Sequence, residues 1–367
     1  MDPIAHTLVG AALAKSGLEN RSGFAAAALI AGANLPDIDG MTYFVGGDLG
    51  LYFRRGWTHG LLAIALWPFV LAGALALLDR LLGRGRARFG TLFWLGLLAV
   101  ATHPALDWLN NYGMRWLMPL DGRWFYGDAI FIVDPWIWLG LGGALFLSTS
   151  RGTWRLCAWI LGTMAVSFLI VTGVPGLFPG KLLFLAGLLA FAAARVKNVP
   201  RTERGNERIH QGALAFVALY VLSMVALSAL AHRWTHEKLR GDGLSVEKLM
   251  VAPAPISPFT RDVVFSTPSS YRHGSLSLWP SPKLTLSPKT IPRNDGSPLA
   301  IRALGQREVR GFAIWARFPW AEIAEEPEGF RVTLRDARYA RSRRSDGFGT
   351  ALVFLPHETE LDGLNGR

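Results

Sequence analysis

GTLFWLGLLAVATHPALDWL occupies residues 90–109 and is the stretch that decides the fold. Its only formal charge is Asp107, and a helix needs about 20 mostly apolar residues to cross a bilayer. His103 and Asp107 lie four residues apart, which places them on one face of a helix about one turn apart. The run therefore predicts a membrane helix that carries a pair of chemically useful side chains.

Comparable apolar runs fill most of the first 231 residues, at 3–16, 23–38, 60–79, 134–149, 154–172, 181–195 and 211–231. Residues 1–231 hold 30 charged residues, and the other 136 residues hold 35. Charge density therefore doubles, from about 13% to about 26%. We predict an all-α polytopic membrane bundle of about eight membrane-embedded helices over residues 1–235. The first two helices are short and are expected to be partly sheltered by protein.

Short loops rich in Lys and Arg predict the orientation, because such loops stay in the cytoplasm. The basic residues fall in 80–88, at Arg151 and Arg155, in 195–208, and at Lys15 and Arg21. Placing all four groups inside puts the uncharged link 173–180 and both termini outside. We expect a multi-pass protein of the bacterial cytoplasmic (inner) membrane that bears its site and C-terminal domain on the periplasmic side.

Residues 236–367 have a different character. Nine prolines lie between 252 and 298, and three β-rich runs follow at 312–316, 330–334 and 351–355. These runs predict a small, mostly β extracytoplasmic domain. The net charge of +11 does not indicate nucleic acid, since the bases of the first part lie between apolar runs.

Polar side chains inside apolar helices are costly, so they are functional candidates. Five groups stand out: His6; Asp37 with Asp39; His59; His103 with Asp107; and Asp134. On the predicted topology all of them fall at the external ends of their helices. Imidazole and carboxylate ligands without sulfur suit Zn²⁺, Mn²⁺ or Fe. We therefore predict a divalent metal site of one to three ions, with Zn²⁺ favoured; Asp134 could instead cap its helix.

The order of these groups resembles a bacterial inner-membrane family of metal-dependent hydrolases (YdjM/YbcI-like). The resemblance covers about residues 1–136 and rests on His6, Leu-Pro-Asp-Ile-Asp at 35–39, Arg-Gly-Trp-Thr-His at 55–59 and His103 with Asp107. Many members carry His before the Arg-Gly pair, where this chain has Arg54. More distantly, the ligand order is similar to that of zinc-dependent phospholipase C, although the later His and Glu ligands have no counterpart.

The resemblance implies His6, Asp37, His59, His103 and Asp107 as metal ligands, with Asp107 as a bridge. The leading hypothesis is a hydrolase that uses a metal-activated water on a phosphoester or ester of a lipid or lipid-linked molecule. Two further roles are expected of other residues. Asp39 would act as general base or orient a histidine, and Arg55, Arg115 and Arg123 would hold an anionic group.

The runner-up is a non-catalytic membrane protein with a structural metal site, whose β domain binds envelope partners. A transporter with a proton relay is less favoured, because the polar groups fall at one face instead of the midplane.

Overall fold

The computed structural model describes residues 1–173, 178–199, 202–340 and 349–357. Two compact units are present. The first comprises residues 1–38, 55–229 and 252–260, and the second comprises 39–54, 230–251 and 261–367. The segment 39–54, which lies between two predicted ligands in the sequence, therefore belongs to the second unit together with the C-terminal part of the chain.

Every predicted apolar run forms a helix. The helices are α1 Pro3–Lys15, α2 Ala25–Asn34, α3 Gly47–Phe53, α4 Leu61–Leu81, α5 Phe89–Trp108, α6 Pro135–Thr149, α7 Thr153–Gly173, α8 Phe178–Val196 and α9 Glu203–Gly241. A 3₁₀ segment, Leu35–Phe44, follows α2, because Pro36 interrupts the α-helix there. The predicted external link 173–180 lies partly outside the described residues, at 174–177.

Five helices of the described residues are long and apolar enough to cross a membrane: α4, α5, α7, α8 and α9. Helix α6 is apolar but only 15 residues long, and α1 and α2 have 13 and 10 residues. Eight full crossings are thus not confirmed, whereas a multi-pass helical membrane protein is.

The two short helices pack through small residues. Gly10 of α1 lies so close to α2 that a Cβ there would be 2.6 Å from the carbonyl oxygen of Leu29. Ala28, Leu29 and Ala33 of α2 have no exposed surface. This close packing provides the protein surroundings that short apolar helices need at membrane depth.

Helix starts are fixed by carboxylate caps. Asp2 accepts a hydrogen bond from the Ala5 amide at 2.9 Å and begins α1. Asp134 accepts from the amides of Trp136 and Ile137 at 3.0 and 3.2 Å and begins α6. In both helices a proline follows the cap, where its missing N–H costs nothing.

The C-terminal part contains two antiparallel sheets. The first has the order β1 Lys248–Ala254, β2 Ser257–Ser266, β3 Ser270–Ser277 and β4 Lys283–Pro292. The short helices α10 Pro298–Leu304 and α11 Arg310–Trp315 follow. The second sheet is a meander of β5 Pro319–Glu326, β6 Gly329–Asp336 and β7 Thr350–Pro356.

Two of the three predicted strands are confirmed, since 330–334 lies in β6 and 351–355 in β7. The prediction of a strand at 312–316 is wrong, because residues 310–315 form α11. Phe312 and Trp315 are three residues apart and both fully buried, which is the spacing of one helical face. Asp48 of the same unit caps this helix by accepting from the amides of Gly311 and Phe312, each at 2.9 Å.

Helix α9 is longer than predicted, with 39 residues instead of the expected run at 211–231. The predicted domain boundary at 235/236 falls within this helix and stays a prediction.

Candidate metal centre

Four side chains of the first unit converge on one point. Asp37, His59, His103 and Asp107 each offer a ligand atom, and these atoms all lie within 4.8 Å of one another. Helix α5 supplies His103 and Asp107 from successive turns. Asp37 comes from the 3₁₀ segment after α2, and His59 from the turn that precedes Gly60, the N-cap of α4. Four of the five predicted ligands are thus neighbours in space.

Five of the six separations among these atoms are close to the edge length of a tetrahedral metal site. His59 Nε2 lies 3.1 Å from His103 Nε2 and 3.5 Å from both Asp37 Oδ1 and Asp107 Oδ2. His103 Nε2 lies 3.4 Å from Asp37 Oδ1 and 3.6 Å from Asp107 Oδ2. A tetrahedral ion with metal–ligand bonds of about 2.0–2.1 Å has ligand–ligand edges of about 3.3 Å. The five separations of 3.1–3.6 Å therefore fit one cation at their centre.

Outer contacts orient both imidazoles. The Nδ1 of His103 lies 2.7 Å from the carbonyl oxygen of Ala33 and must donate to it, which leaves the lone pair on Nε2. The Nδ1 of His59 lies 2.9 Å from the Thr58 hydroxyl. Such contacts fix the tautomer and ring orientation of metal-binding histidines. Two unprotonated Nε2 atoms at 3.1 Å would repel each other, so the pair calls for a cation or a proton between them.

His6 lies beside this cluster on the other side of Asp107. Its Nε2 is 3.2 Å from Asp107 Oδ1, whereas Oδ2 of the same carboxylate faces His59 and His103. The His6 ring stacks on the His103 ring with centroids 3.7 Å apart. The Met1 amino group also contacts Asp107 Oδ1. Asp107 thus has one oxygen toward each side, which is the arrangement that the predicted bridge requires.

The Arg55 side chain is buried in the site and contacts Asp107, Asn110 and the Gly113 carbonyl. Its NH2 group donates to Asp107 Oδ1 at 3.0 Å, and its Nε lies 2.8 Å from Oδ2, an ion-pair contact. Its NH1 group donates to Asn110 Oδ1 at 3.0 Å and to the Gly113 carbonyl at 3.2 Å. Arg55 is only 2% exposed and has a φ of +53°, an uncommon conformation for a residue other than glycine. This geometry is that of a residue that positions Asp107.

Of the other two arginines that were predicted to bind an anion, Arg115 is buried and Arg123 is exposed. Arg115 is 3% exposed, lies 5.2 Å from the centre of the Trp124 ring, and donates its backbone N–H to the Arg55 carbonyl. Its guanidinium occupies the space over Gly56, where a Cβ would lie 2.6 Å from NH2. Arg123 is 74% exposed and pairs with Asp121. The binding roles of all three arginines stay predictions.

Asp39 belongs to the second unit, where its carboxylate pairs with Arg54. Its side chain is only 4% exposed. Arg54 thus supplies a counter-charge for Asp39. The predicted catalytic role of Asp39 is untested.

Asn110 is the residue of the site that the sequence reasoning did not assign. It is fully buried, accepts from Arg55, and also accepts from the Tyr112 amide at 2.9 Å. It lies two residues beyond the end of α5, so helical spacing from Asp107 does not predict its position. Asp134, in contrast, caps α6 and accepts from the Tyr220 hydroxyl at 2.8 Å.

These features define a multi-pass membrane protein with a buried Asp/His cluster that could hold a metal ion. Residues 1–175 match the model of the YdjM inner membrane protein family. The chain is 28% identical over 126 residues to the uncharacterized protein YfhP of Bacillus subtilis (strain 168). That match covers 34% of this chain and 37% of the relative, so only about a third of either protein is compared. No solved structure matches. The predicted likeness to zinc-dependent phospholipase C stays a prediction.

Proposed function

We propose that the protein is a membrane-bound, metal-dependent hydrolase whose metal is held by Asp37, His59, His103 and Asp107, with His6 as a further ligand beside Asp107. The observation that carries this proposal is the set of five ligand-atom separations of 3.1–3.6 Å, the edge lengths of a tetrahedral site.

The donor set favours Zn²⁺. Two imidazole nitrogens and two carboxylate oxygens at tetrahedral spacing are typical of zinc, whereas Mg²⁺ and Ca²⁺ require six or more oxygen ligands. Mn²⁺ and Fe are the alternatives. A zinc ion bound there would lower the pKa of its water to about 7 and so supply a nucleophile at neutral pH.

The chain's own residues have distinct tasks in this proposal. His103 directs its Nε2 toward the cluster because its Nδ1 donates to the Ala33 carbonyl, and the Thr58 hydroxyl holds the orientation of the His59 ring. Arg55 holds both oxygens of Asp107 in place and partly offsets the charge of the two carboxylates. Asp107 would hold the metal together with both histidines, since its Oδ2 faces His59 and its Oδ1 faces His6. Asp39 is proposed as the group that accepts a proton from the attacking water.

The proposed substrate is a phosphoester or ester of a lipid or lipid-linked molecule, cleaved at the periplasmic face. The membrane location supports a lipid. The Asp/His cluster, which could hold a metal ion, supports a metalloenzyme. Arg115 and Arg123 would hold the anionic part of such a substrate.

Metal analysis combined with a hydrolysis screen tests the proposal. The purified protein is assayed for Zn, Mn and Fe, and then incubated with a bacterial lipid extract whose products are identified by mass spectrometry. Asp107→Ala should lose bound metal and activity together. Asp39→Asn should keep the metal and lose turnover by roughly 10²–10⁴-fold, the usual contribution of a general base.

The control for both variants is Asp242→Asn, which alters a surface carboxylate that pairs with Lys238 outside the site. This variant should retain metal and activity. Full hydrolysis by Asp107→Ala would end the hydrolase proposal, and equal metal loss in both test variants would make Asp39 a ligand.

One observation favours the alternative of a structural metal site. His59, His103 and Asp107 have no exposed side-chain surface, and only Asp37 is partly accessible, at 13%. Four protein ligands complete a tetrahedron, as in structural zinc sites, whereas catalytic sites keep one position for water. Stable metal binding with no hydrolysis of any extracted lipid, in wild type, would select this alternative.

A further inference from the structure

An apolar cavity of about 400 Å³ lies within the first unit, between α1, α6, α7 and α8. Its wall follows α6 from Trp138 to Phe146, nine residues that extend about 12 Å along the helix axis. It follows α8 over the same length, from Phe184 to Ala192. The cavity is therefore elongated and runs parallel to the helices.

The walls offer hydrocarbon contacts. The two indole N–H groups at the cavity are already engaged, since Trp138 donates to Asp2 at 3.1 Å and Trp159 donates to Thr149 at 2.9 Å. The remaining lining residues are aliphatic, aromatic or glycine, apart from Thr163. Binding sites of this composition take apolar ligands.

An elongated apolar space of about 400 Å³ matches the shape and chemistry of a single hydrocarbon chain.

The cavity is accessible from the membrane side. Ile160 and Met164 of α7 lie at its edge and are 48% and 63% exposed. Helices α7 and α8 bury only 6% of their most apolar windows within the protein. Lipid chains are therefore what surrounds the opening.

Helix α1 separates this cavity from the candidate metal centre. Ile4 and Leu8 line the cavity and lie four residues apart on one face of α1. His6, two residues from each, points about 200° away and reaches Asp107. One helix therefore contacts the cavity on one side and the centre on the other.

We propose that this cavity binds one hydrocarbon chain of a membrane lipid. That the chain belongs to the molecule cleaved at the metal centre rests on the proposed hydrolase function, whereas chain binding itself does not.

The cavity contains glycines that permit a direct test. A Cβ at Gly142 or at Gly162 would meet no atom within 4 Å, so Gly142→Leu and Gly162→Leu would fill the space without a backbone clash. Gly73 of α4 is equally open but does not line the cavity, so Gly73→Leu is the matched control.

The experiment uses the full-length protein in vesicles of phosphatidylethanolamine and phosphatidylglycerol doped with a phosphatidylcholine that carries a diazirine in mid-chain. After irradiation, cross-linked peptides are quantified by mass spectrometry. The cavity sites are Leu139, Thr163 and Leu188. The references are Leu161 and Leu183, which are 67% and 64% exposed on the outer surface and do not line the cavity.

Wild type and Gly73→Leu should label the cavity sites as strongly as the references. Gly142→Leu and Gly162→Leu should reduce cavity labelling several-fold and leave the references unchanged, and the references also report whether each variant is folded. Cavity sites that stay unlabelled in wild type, or keep full labelling in both filled variants, would overturn the proposal. A filled variant that alters only the oligomeric state would assign the cavity to a second copy instead.

The result of the labelling experiment does not depend on whether the protein hydrolyses lipids. Cavity labelling without any lipid cleavage would retain the chain site and reject the hydrolase, and the opposite result would retain the hydrolase and reject the chain site.

Discussion

At Asp107, one buried carboxylate contacts imidazole, guanidinium and amino groups. Oδ1 faces His6 and the Met1 amino group and accepts a hydrogen bond from Arg55, whereas Oδ2 faces His59 and His103 and lies at ion-pair distance from the Arg55 Nε. A buried carboxylate needs such partners, because an unpaired charge in a low-dielectric interior is strongly unfavourable. The same contacts fix the two oxygens in the directions that metal ligation requires.

Arg55 should therefore control metal affinity without being a ligand. In Arg55→Lys the charge remains but the planar fork is lost, so Asp107 and Asn110 can no longer be held together. We expect metal affinity to fall by about 10–100-fold, the usual effect of removing a residue that orients a metal ligand. Zinc titration of metal-stripped protein by calorimetry measures this.

Arg123→Lys is the control, since Arg123 is 74% exposed and pairs with Asp121, away from the ligand cluster. It should bind zinc as tightly as wild type does. Unchanged affinity in Arg55→Lys would show that Arg55 does not position Asp107.

Asp134 gives a pH-dependent stability with a defined sign. Burial raises the pKa of its carboxyl from the ordinary 3.8 to about 6, although hydrogen bonds from Tyr220, Ile137 and Trp136 oppose the shift. Because this pKa is higher in the folded than in the unfolded state, protonated Asp134 adds to the free energy of unfolding. That contribution is fully present below about pH 3.8 and is lost as the pH rises through about 6. The Tm of wild type minus the Tm of Asp134→Asn, both measured in the same detergent, should decrease as the pH is raised from 4 to 6.5.

The asparagine variant suits this test, because its amide oxygen can still accept from the α6 amides while it carries no titrating charge. Asp121→Asn is a control of opposite sign. Hydrogen bonds from the Arg123 backbone and side chain lower the pKa of Asp121, so any contribution there is lost as the pH falls. A Tm difference between wild type and Asp134→Asn that does not vary with pH would contradict the raised pKa.

Among the secondary-structure elements, α1 and α2 pack with their backbones in close contact at Gly10. In Gly10→Ala the new Cβ would lie 2.6 Å from the Leu29 carbonyl oxygen and 2.9 Å from the Ile30 Cα, so the helices must separate. Overpacking of this kind costs about 1–3 kcal/mol. The expected result is a lower Tm in detergent and a loss of metal, since α1 carries His6.

Gly73→Ala in α4 is the matched control, because its Cβ would meet nothing within 4 Å. Replacing glycine with alanine in an unobstructed helix stabilises it by up to about 1 kcal/mol. The two substitutions should therefore change the Tm in opposite directions, and equal effects would contradict the close contact of α1 with α2.

The helices and the metal-ligand cluster were predictable from sequence for a physical reason. A bilayer excludes unpaired backbone groups, so a long apolar run there must be helical. A polar residue in such a run needs a partner, which indicated His103 and Asp107. The partner roles of Arg55 and Asn110 depend on a loop that returns to α5, and nothing local in the sequence specifies that return.

The strands of the C-terminal part were less predictable. Because of the prolines between 252 and 298, the sequence did not predict the four individual strands of the first sheet. Pro253 lies in β1 and Pro288 lies in β4, and these are the two edge strands of that sheet. Edge strands tolerate proline because they need no donor on their outer side. Helix α11 was also missed, since its cap, Asp48, lies more than 260 positions earlier in the chain.

At the scale of the whole molecule, the open question is whether α6 crosses the membrane. Its 15 residues extend about 22 Å, whereas the hydrocarbon core is about 30 Å thick. Arg151 and Arg155 directly follow α6, and four arginines lie in 80–88, directly before α5. Positive residues stay inside, so α5 and α6 should form an out-and-back pair, with residues 109–134 outside and the membrane thinned around α6.

Two reporter fusions decide this point. Alkaline phosphatase, which is active only in the periplasm, is inserted at Asp121 in one fusion and joined after Arg367 in the other, a position outside the described residues. If α6 crosses, then α6, α7, α8 and α9 make an even number of crossings between the two positions, and both fusions should be active. Green fluorescent protein at the same positions is the reciprocal control and should be dark when exported unfolded. Activity at Asp121 alone would show that α6 does not cross and that the C-terminal part lies in the cytoplasm, and inactivity at both positions would invert the entire predicted topology.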